Sequence, residues 1–126
     1  MENLFEASDL LEKLEILSAD ELDELSIGVV AMASDGNVVA YNKTEAALSG
    51  LTASRVIGRH FFTSVAPCTN NYLIAQRFEN EENIDIIVDY VFTLRMAPTP
   101  VQLRLLKHSS AARMYLVVRR RDPHAI

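Results

Sequence analysis

The sequence predicts an α+β domain: a five-stranded antiparallel sheet, short helices inserted between its second and third strands, and a helical cap at the N-terminus. Three observations carry this. Residues 6–26 place apolar side chains at helical spacing. A run rich in β-branched residues, 27–33, then returns across Ser34-Asp35-Gly36-Asn37 as a second run, 38–41. Beyond residue 84 three strand-like runs follow one another with only turns between them.

The N-terminal segment reads as two short helices. Ser8 and Asp9 are placed to cap the first, whose stripe is Leu10, Leu11, Leu14 and Leu17. Ser18 opens the second, and Glu21 completes a capping box, in which the serine oxygen accepts from a free backbone N–H and the glutamate reaches back. Leu22 and Leu25 form its apolar side. The other positions are mostly acidic (Glu12, Glu15, Asp20, Glu21, Asp23, Glu24, with Lys13 the one base). That pattern is first of all a solvated face on a helical cap; the sharper alternative is a detachable cap whose docking carries a signal.

Gly36 and Asn37 tolerate positive φ, so the two runs around them form a hairpin. Asn42 caps a helix over 43–49 that Gly50 stops. Residues 52–57 are a further helical turn ending at Gly58. Residues 59–72 read as a connector, because Pro67 lacks an N–H and turns Ala66 away from helix. A helix over 73–78 and a polar exit over 79–83 follow. Residues 84–96 are a long strand, and Pro98 and Pro100 mark a turn or a strand start. Residues 101–107 alternate Val101, Leu103 and Leu105 against Gln102 and Arg104, and 114–118 are the fifth strand. The expected organisation is a cap over 1–26, a core over 27–121 and a tail over 122–126.

With 126 residues the chain makes one domain. No stretch approaches the ~18 apolar residues of a membrane span, and the N-terminus has no basic segment leading into an apolar run. A single cysteine excludes an internal disulfide and a cysteine-rich zinc site. His60, His108 and His124 lack metal-ligand spacing. A net charge of −5 argues against a nucleic-acid partner. The expectation is a small cytoplasmic domain, monomeric or weakly dimeric, with no membrane or nucleic-acid partner.

The most specific stretch is 36–69, GNVVAYNKTEAALSGLTASRVIGRHFFTSVAPCT. Tyr41-Asn42, Glu45, Gly50, Val56-Ile57-Gly58, Phe61-Phe62 and Val65-Ala66-Pro67-Cys68-Thr69, with a second block at Tyr90-Val91-Phe92 and Met96-Ala97-Pro98-Thr99, strongly resemble the photoactive yellow protein family. These are PAS-fold blue-light photoreceptors. The resemblance reaches residue 120 and so covers nearly the whole chain.

The resemblance implies 4-hydroxycinnamic acid (p-coumaric acid) bound as a thioester to Cys68, with Tyr41 and protonated Glu45 hydrogen-bonded to its phenolate. Ser49, where the family usually has threonine, steadies the tyrosine. Val30, Leu51, Phe61, Val65, Ala66, Pro67, Thr69, Phe92 and Met96 form the implied pocket. The residue types suit the chemistry: a thiol can form a thioester, a tyrosine hydroxyl donates at neutral pH, and a glutamate donates only when burial keeps it protonated. The implied cycle is light-driven isomerisation, proton transfer from Glu45 and partial unfolding, signalling to an unknown downstream protein or a fused output domain. No enzymatic activity is implied.

The chain departs from the family at Leu51, where an arginine is usual, at Leu94, at a shortened loop near Asn80 and at Tyr115, where a tryptophan is usual. Two other readings remain open: a light-insensitive PAS domain that binds another small ligand or dimerises, and an enzyme with Cys68 as nucleophile. The latter needs a base, and His60 is the one candidate nearby in sequence.

Overall fold

The structure is a computed structural model that describes residues 3–93 and 98–120. Met96, Leu94 and the tail 122–126 therefore lie outside the described residues.

The N-terminal segment folds as a 3-10 turn, Leu4–Glu6, and two helices, α1 (Leu10–Ile16) and α2 (Ala19–Asp23). Ser18 and Glu21 make the expected capping box: Ser18 N donates to Glu21 Oε1 at 2.9 Å and Glu21 N to Ser18 Oγ at 3.2 Å. Ser8 does not cap α1. Asp9 holds that position with no side-chain hydrogen bond, and α1 starts at Leu10 because packing of Leu10 and Leu14 sets it.

Strands β1 (Gly28–Met32) and β2 (Val38–Tyr41) form the hairpin. Its turn has Gly36 at φ 88°, and Asp35 Oδ1 accepts from Asn37 N at 2.9 Å. Helices α3 (Lys43–Ser49), α4 (Ala53–Val56) and α5 (Ala75–Asn80) precede the long strands β3 (Ile84–Phe92), β4 (Thr99–Lys107) and β5 (Met114–Arg120). The five strands pair antiparallel in the order β2-β1-β5-β4-β3.

Two expectations change. The connector over 59–72 contains a π-helical turn, Phe61–Val65, and a 3-10 turn, Pro67–Thr69. Its apolar residues Phe61, Phe62 and Val65 are buried, so tertiary packing winds a segment too short to show a period. The helix expected over 73–78 begins two residues later, because Asn71 Oδ1 accepts from both Leu73 N and Ile74 N and holds the chain in a turn there.

Strand alternation sorts the sheet into two faces. Val30, Met32, Leu103, Leu105, Leu116 and Val118 face α3–α5 and share one core with Tyr41, Phe61 and Phe78. Val29, Ala31, Leu106, Tyr115 and Val117 face the N-terminal cap and pack with Phe5, Leu10, Leu14 and Leu22. Arg104 belongs to this second face. The strand pattern sets it with the polar residues, yet it is 5% exposed. Its guanidinium donates to Phe5 O at 2.9 Å and Ala7 O at 2.6 Å, and Nε and Nη2 each reach Asp85 at 2.8 Å. The cap carbonyls and the carboxylate meet the donors that burial would otherwise strand.

Candidate functional site

The site begins at the corner between β2 and α3. Tyr41 ends β2 and lies opposite Val30 of β1. Asn42 caps α3 with its Oδ1, which accepts from Glu45 N at 3.0 Å and from Val29 N at 2.9 Å. Its amide donates to Leu22 O and Ile27 O, both at 2.9 Å. Four bonds from one side chain therefore fix the first turn of α3 against β1 and the cap. Glu45 and Ser49 are one helical turn apart, share the buried face, and sit below Tyr41.

The Tyr41 hydroxyl donates to Ser49 Oγ at 2.8 Å, and Ser49 Oγ also accepts from Leu51 N at 3.1 Å. Burial pushes the Tyr41 hydroxyl far above its ordinary range; the neighbouring Glu45 charge adds to this and the Ser49 bond opposes it. Glu45 is 1% exposed. Burial pushes its carboxyl up to about 8, so it is mostly protonated at neutral pH and able to donate. Its Oε1 is buried and has no hydrogen-bond partner. Native proteins seldom leave a buried polar atom orphaned, and doing so costs ~1–3 kcal/mol. Glu45 also lines a cavity together with Leu48, Ser49, Phe92, Val101 and Val118, among others.

Cys68 lies in the 3-10 turn Pro67–Thr69 as a half-buried free thiol. It packs against the apolar cluster that contains Val30, Tyr41, Phe61, Val65, Ala66 and Phe92, with Leu51 partly buried against the same cluster. Its carbonyl oxygen accepts from the Tyr90 hydroxyl at 2.6 Å and from Asn71 Nδ2 at 3.3 Å. Asn71 Nδ2 also donates to Tyr90 Oη at 2.6 Å. The Thr69 hydroxyl is turned onto Ala66 O at 2.6 Å, and Pro67 is exposed. Those two residues shape the turn; of the other expected pocket residues among those described, Phe92 lines the cavity beside Glu45, and Val30, Leu51, Phe61, Val65 and Ala66 lie in or against the apolar cluster. Met96 lies outside the described residues.

Sequence reasoning passed over Gly28 and Asn71. A Cβ on Gly28 would stand 2.2 Å from Glu45 Oε1. The signal was a glycine inside a β-branched run, which marks a close approach. Asn71 sat in a stretch read as connector, with nothing local to distinguish it.

Among the described residues no group of three or more His, Cys, Asp or Glu gathers to hold a metal, and no helix is long and apolar enough to cross a membrane.

No protein-family model matches the chain. The photoactive yellow protein of Halochromatium salexigens is 32% identical over 106 residues, spanning 82% of this chain and 85% of that protein. The chain belongs to the photoactive yellow protein family. A solved photoactive yellow protein domain, from the sensor histidine kinase Ppr of Rhodospirillum centenum, aligns with a TM-score of 0.79 at 36% identity over 87% of this chain and 99% of that one. The PAS domain of an HTR-like protein from Haloarcula marismortui shares the fold at 15% identity, with a TM-score of 0.64 over 91% of this chain and all of that domain. The fold is thus PAS, and the family is one of photoreceptor modules.

Proposed function

We propose that this domain is a blue-light photoreceptor that carries 4-hydroxycinnamic acid as a thioester on Cys68. The orphaned Oε1 of Glu45 is the single observation that carries this reading: a buried, mostly protonated carboxyl has no acceptor, while its neighbour Tyr41 belongs to the apolar cluster against which the free Cys68 thiol packs. Bound there, the chromophore supplies a double bond that light isomerises and a phenolate oxygen.

Glu45 and Tyr41 each hold a proton toward that oxygen. For Tyr41 to donate inward, the bond it now gives Ser49 reverses, with the Ser49 hydroxyl donating to Tyr41 Oη. The Leu51 N–H continues to fix Ser49 Oγ. Two donors on one charged oxygen hold it ionised in an apolar site. After light, Glu45 passes its proton to that oxygen and becomes a carboxylate, although the residue is only 1% exposed. A buried, unpaired charge costs several kcal/mol. Asn42 ties the turn bearing Glu45 to Leu22 O and Ile27 O, so strain there falls on the cap, residues 1–26. Loosening of that cap is the signal. The kinship with a domain of a sensor histidine kinase supports an output of similar kind, fused to this domain or reached as a separate protein.

The test is to add an activated 4-hydroxycinnamate ester to the purified protein and record intact mass and absorption, with Cys68→Ala beside it. Acyl transfer to the thiol expels the activating group and leaves a mass gain of one hydroxycinnamoyl unit. A violet-to-blue band with that gain, both missing in Cys68→Ala, is the expected result. No adduct and no band would favour a light-insensitive PAS domain.

A further inference from the structure

We propose that Gly28 is the positioning residue for Glu45: its absent side chain is the space in which the Glu45 carboxyl stands, and so it sets where that carboxyl meets a ligand. The inference rests on the reading above.

Gly28 opens β1, pairs with Val118 of β5, and is buried. Its backbone gives no reason for glycine. The glycines with positive φ are Gly36, Gly50 and Gly58, so position 28 has a conformation that other residues adopt freely. Glycine also weakens a strand. The reason lies in the space beside it. A Cβ built there meets Glu45 Oε1 at 2.2 Å, with Glu45 Cβ and Cδ both at 3.2 Å. Real contacts do not reach 2.2 Å, so something must move. Helix α3 cannot move readily: Asn42 binds it to Val29 N, Leu22 O and Ile27 O, Lys43 N donates to Asp23 Oδ1 at 2.8 Å, and the Thr44 hydroxyl donates to Leu25 O at 2.5 Å. The carboxyl yields instead, and the atom displaced is the orphan Oε1. One methyl on β1 would therefore remove the hydrogen bond that Glu45 is placed to give, with Glu45 itself unsubstituted.

The test compares Gly28→Ala, Glu45→Ala and the double variant with the parent protein. In unloaded protein at neutral pH, infrared spectroscopy reads the C=O stretch of the protonated Glu45 carboxyl, assigned by its loss in Glu45→Ala. Gly28→Ala is expected to shift or abolish that band. In loaded protein, losing a hydrogen bond to the phenolate oxygen shifts absorption to the red and raises the pH at which the phenolate forms. Gly28→Ala is expected to do both in the parent background and to change neither when Glu45 is already alanine. If Gly28→Ala alone fails to fold, the double variant is expected to fold, since the atom at 2.2 Å is gone and only the Cβ of position 45, at 3.2 Å, remains close. An unchanged carboxyl band, an equal spectral shift in both backgrounds, or misfolding of both variants would overturn the proposal. Failure of the parent to take up chromophore would count against the photoreceptor reading, while the infrared comparison still decides the role of Gly28.

Discussion

The side-chain amide of Asn42 donates to the carbonyl oxygen of Leu22 across 2.9 Å, joining the helix that bears Glu45 to the second helix of the cap. The same side chain accepts from Val29 N and Glu45 N. Replacing Asn42 by alanine removes a helix cap and leaves buried backbone groups without partners. The expected loss is about 2–4 kcal/mol of stability, read from urea unfolding. Asn42→Asp keeps the acceptor but turns a second carboxylate oxygen toward the Leu22 and Ile27 carbonyls in a buried site, so it should cost at least as much stability and speed amide exchange over residues 19–26. Equal exchange in parent and Asn42→Asp would show that the cap is held without this link.

The Glu45 carboxyl sets a pH dependence in the unloaded protein. Its folded value, about 8, lies above the ordinary 4.5, so the folded state binds more protons than the unfolded one between these values. The contribution is fully present below pH 4.5 and is lost as pH rises through 8. Inside that window a single group gives a slope of about −1.4 kcal/mol per pH unit. Glu45→Gln should flatten the slope. Urea midpoints at several pH values within the window check it, and identical slopes in parent and variant would refute it.

Arg104 latches the cap from the other side. It offers two donors to the Phe5 and Ala7 carbonyls and two to Asp85, whose side chain is 52% exposed. Water can serve Asp85 if the arginine goes, but the two cap carbonyls lose a built-in partner. Arg104→Ala should cost about 1–3 kcal/mol and make the first residues of the chain more sensitive to protease. Arg104→Lys should not restore the parent, because an ammonium cannot grip carboxylate and carbonyls in a planar fork. Parent-like proteolysis of the lysine variant would contradict this.

Tyr90 steadies the turn that holds Cys68. Its hydroxyl gives the shorter of the two bonds to the Cys68 carbonyl. Tyr90→Phe keeps the ring packed on Phe92 and deletes that bond. The expected cost is about 1 kcal/mol, with faster amide exchange confined to residues 67–74. Exchange that rises evenly along the chain would mean that Tyr90 supports the core rather than the turn.

Much of this arrangement was legible in local sequence. Ser18 and Glu21 satisfy each other within one turn, and Asn42 and Gly50 bracket α3 by their own backbone preferences, so caps and bounds follow from neighbours in the chain. The two-residue alternation of β4 correctly put Val101, Leu103 and Leu105 on one buried face. It misjudged the other face, since nothing near Arg104 announces that residues almost a hundred positions earlier will cover it. The turns at Phe61–Val65 and Pro67–Thr69 depend on packing against the sheet, and the strand order depends on pairings between distant segments. Within the site, Tyr41, Glu45 and Ser49 could be grouped by spacing and family resemblance. Gly28 could not, because its role is an absence of atoms that only the folded chain reveals.

The most direct test of the central claim is a blue flash on the loaded protein, followed by absorption over time. The visible band is expected to bleach and then return fully in the dark, through repeated cycles. Cys68→Ala treated in the same way should show neither band nor change. A protein that carries the chromophore on Cys68 and has the band, yet neither bleaches nor recovers, would contradict it.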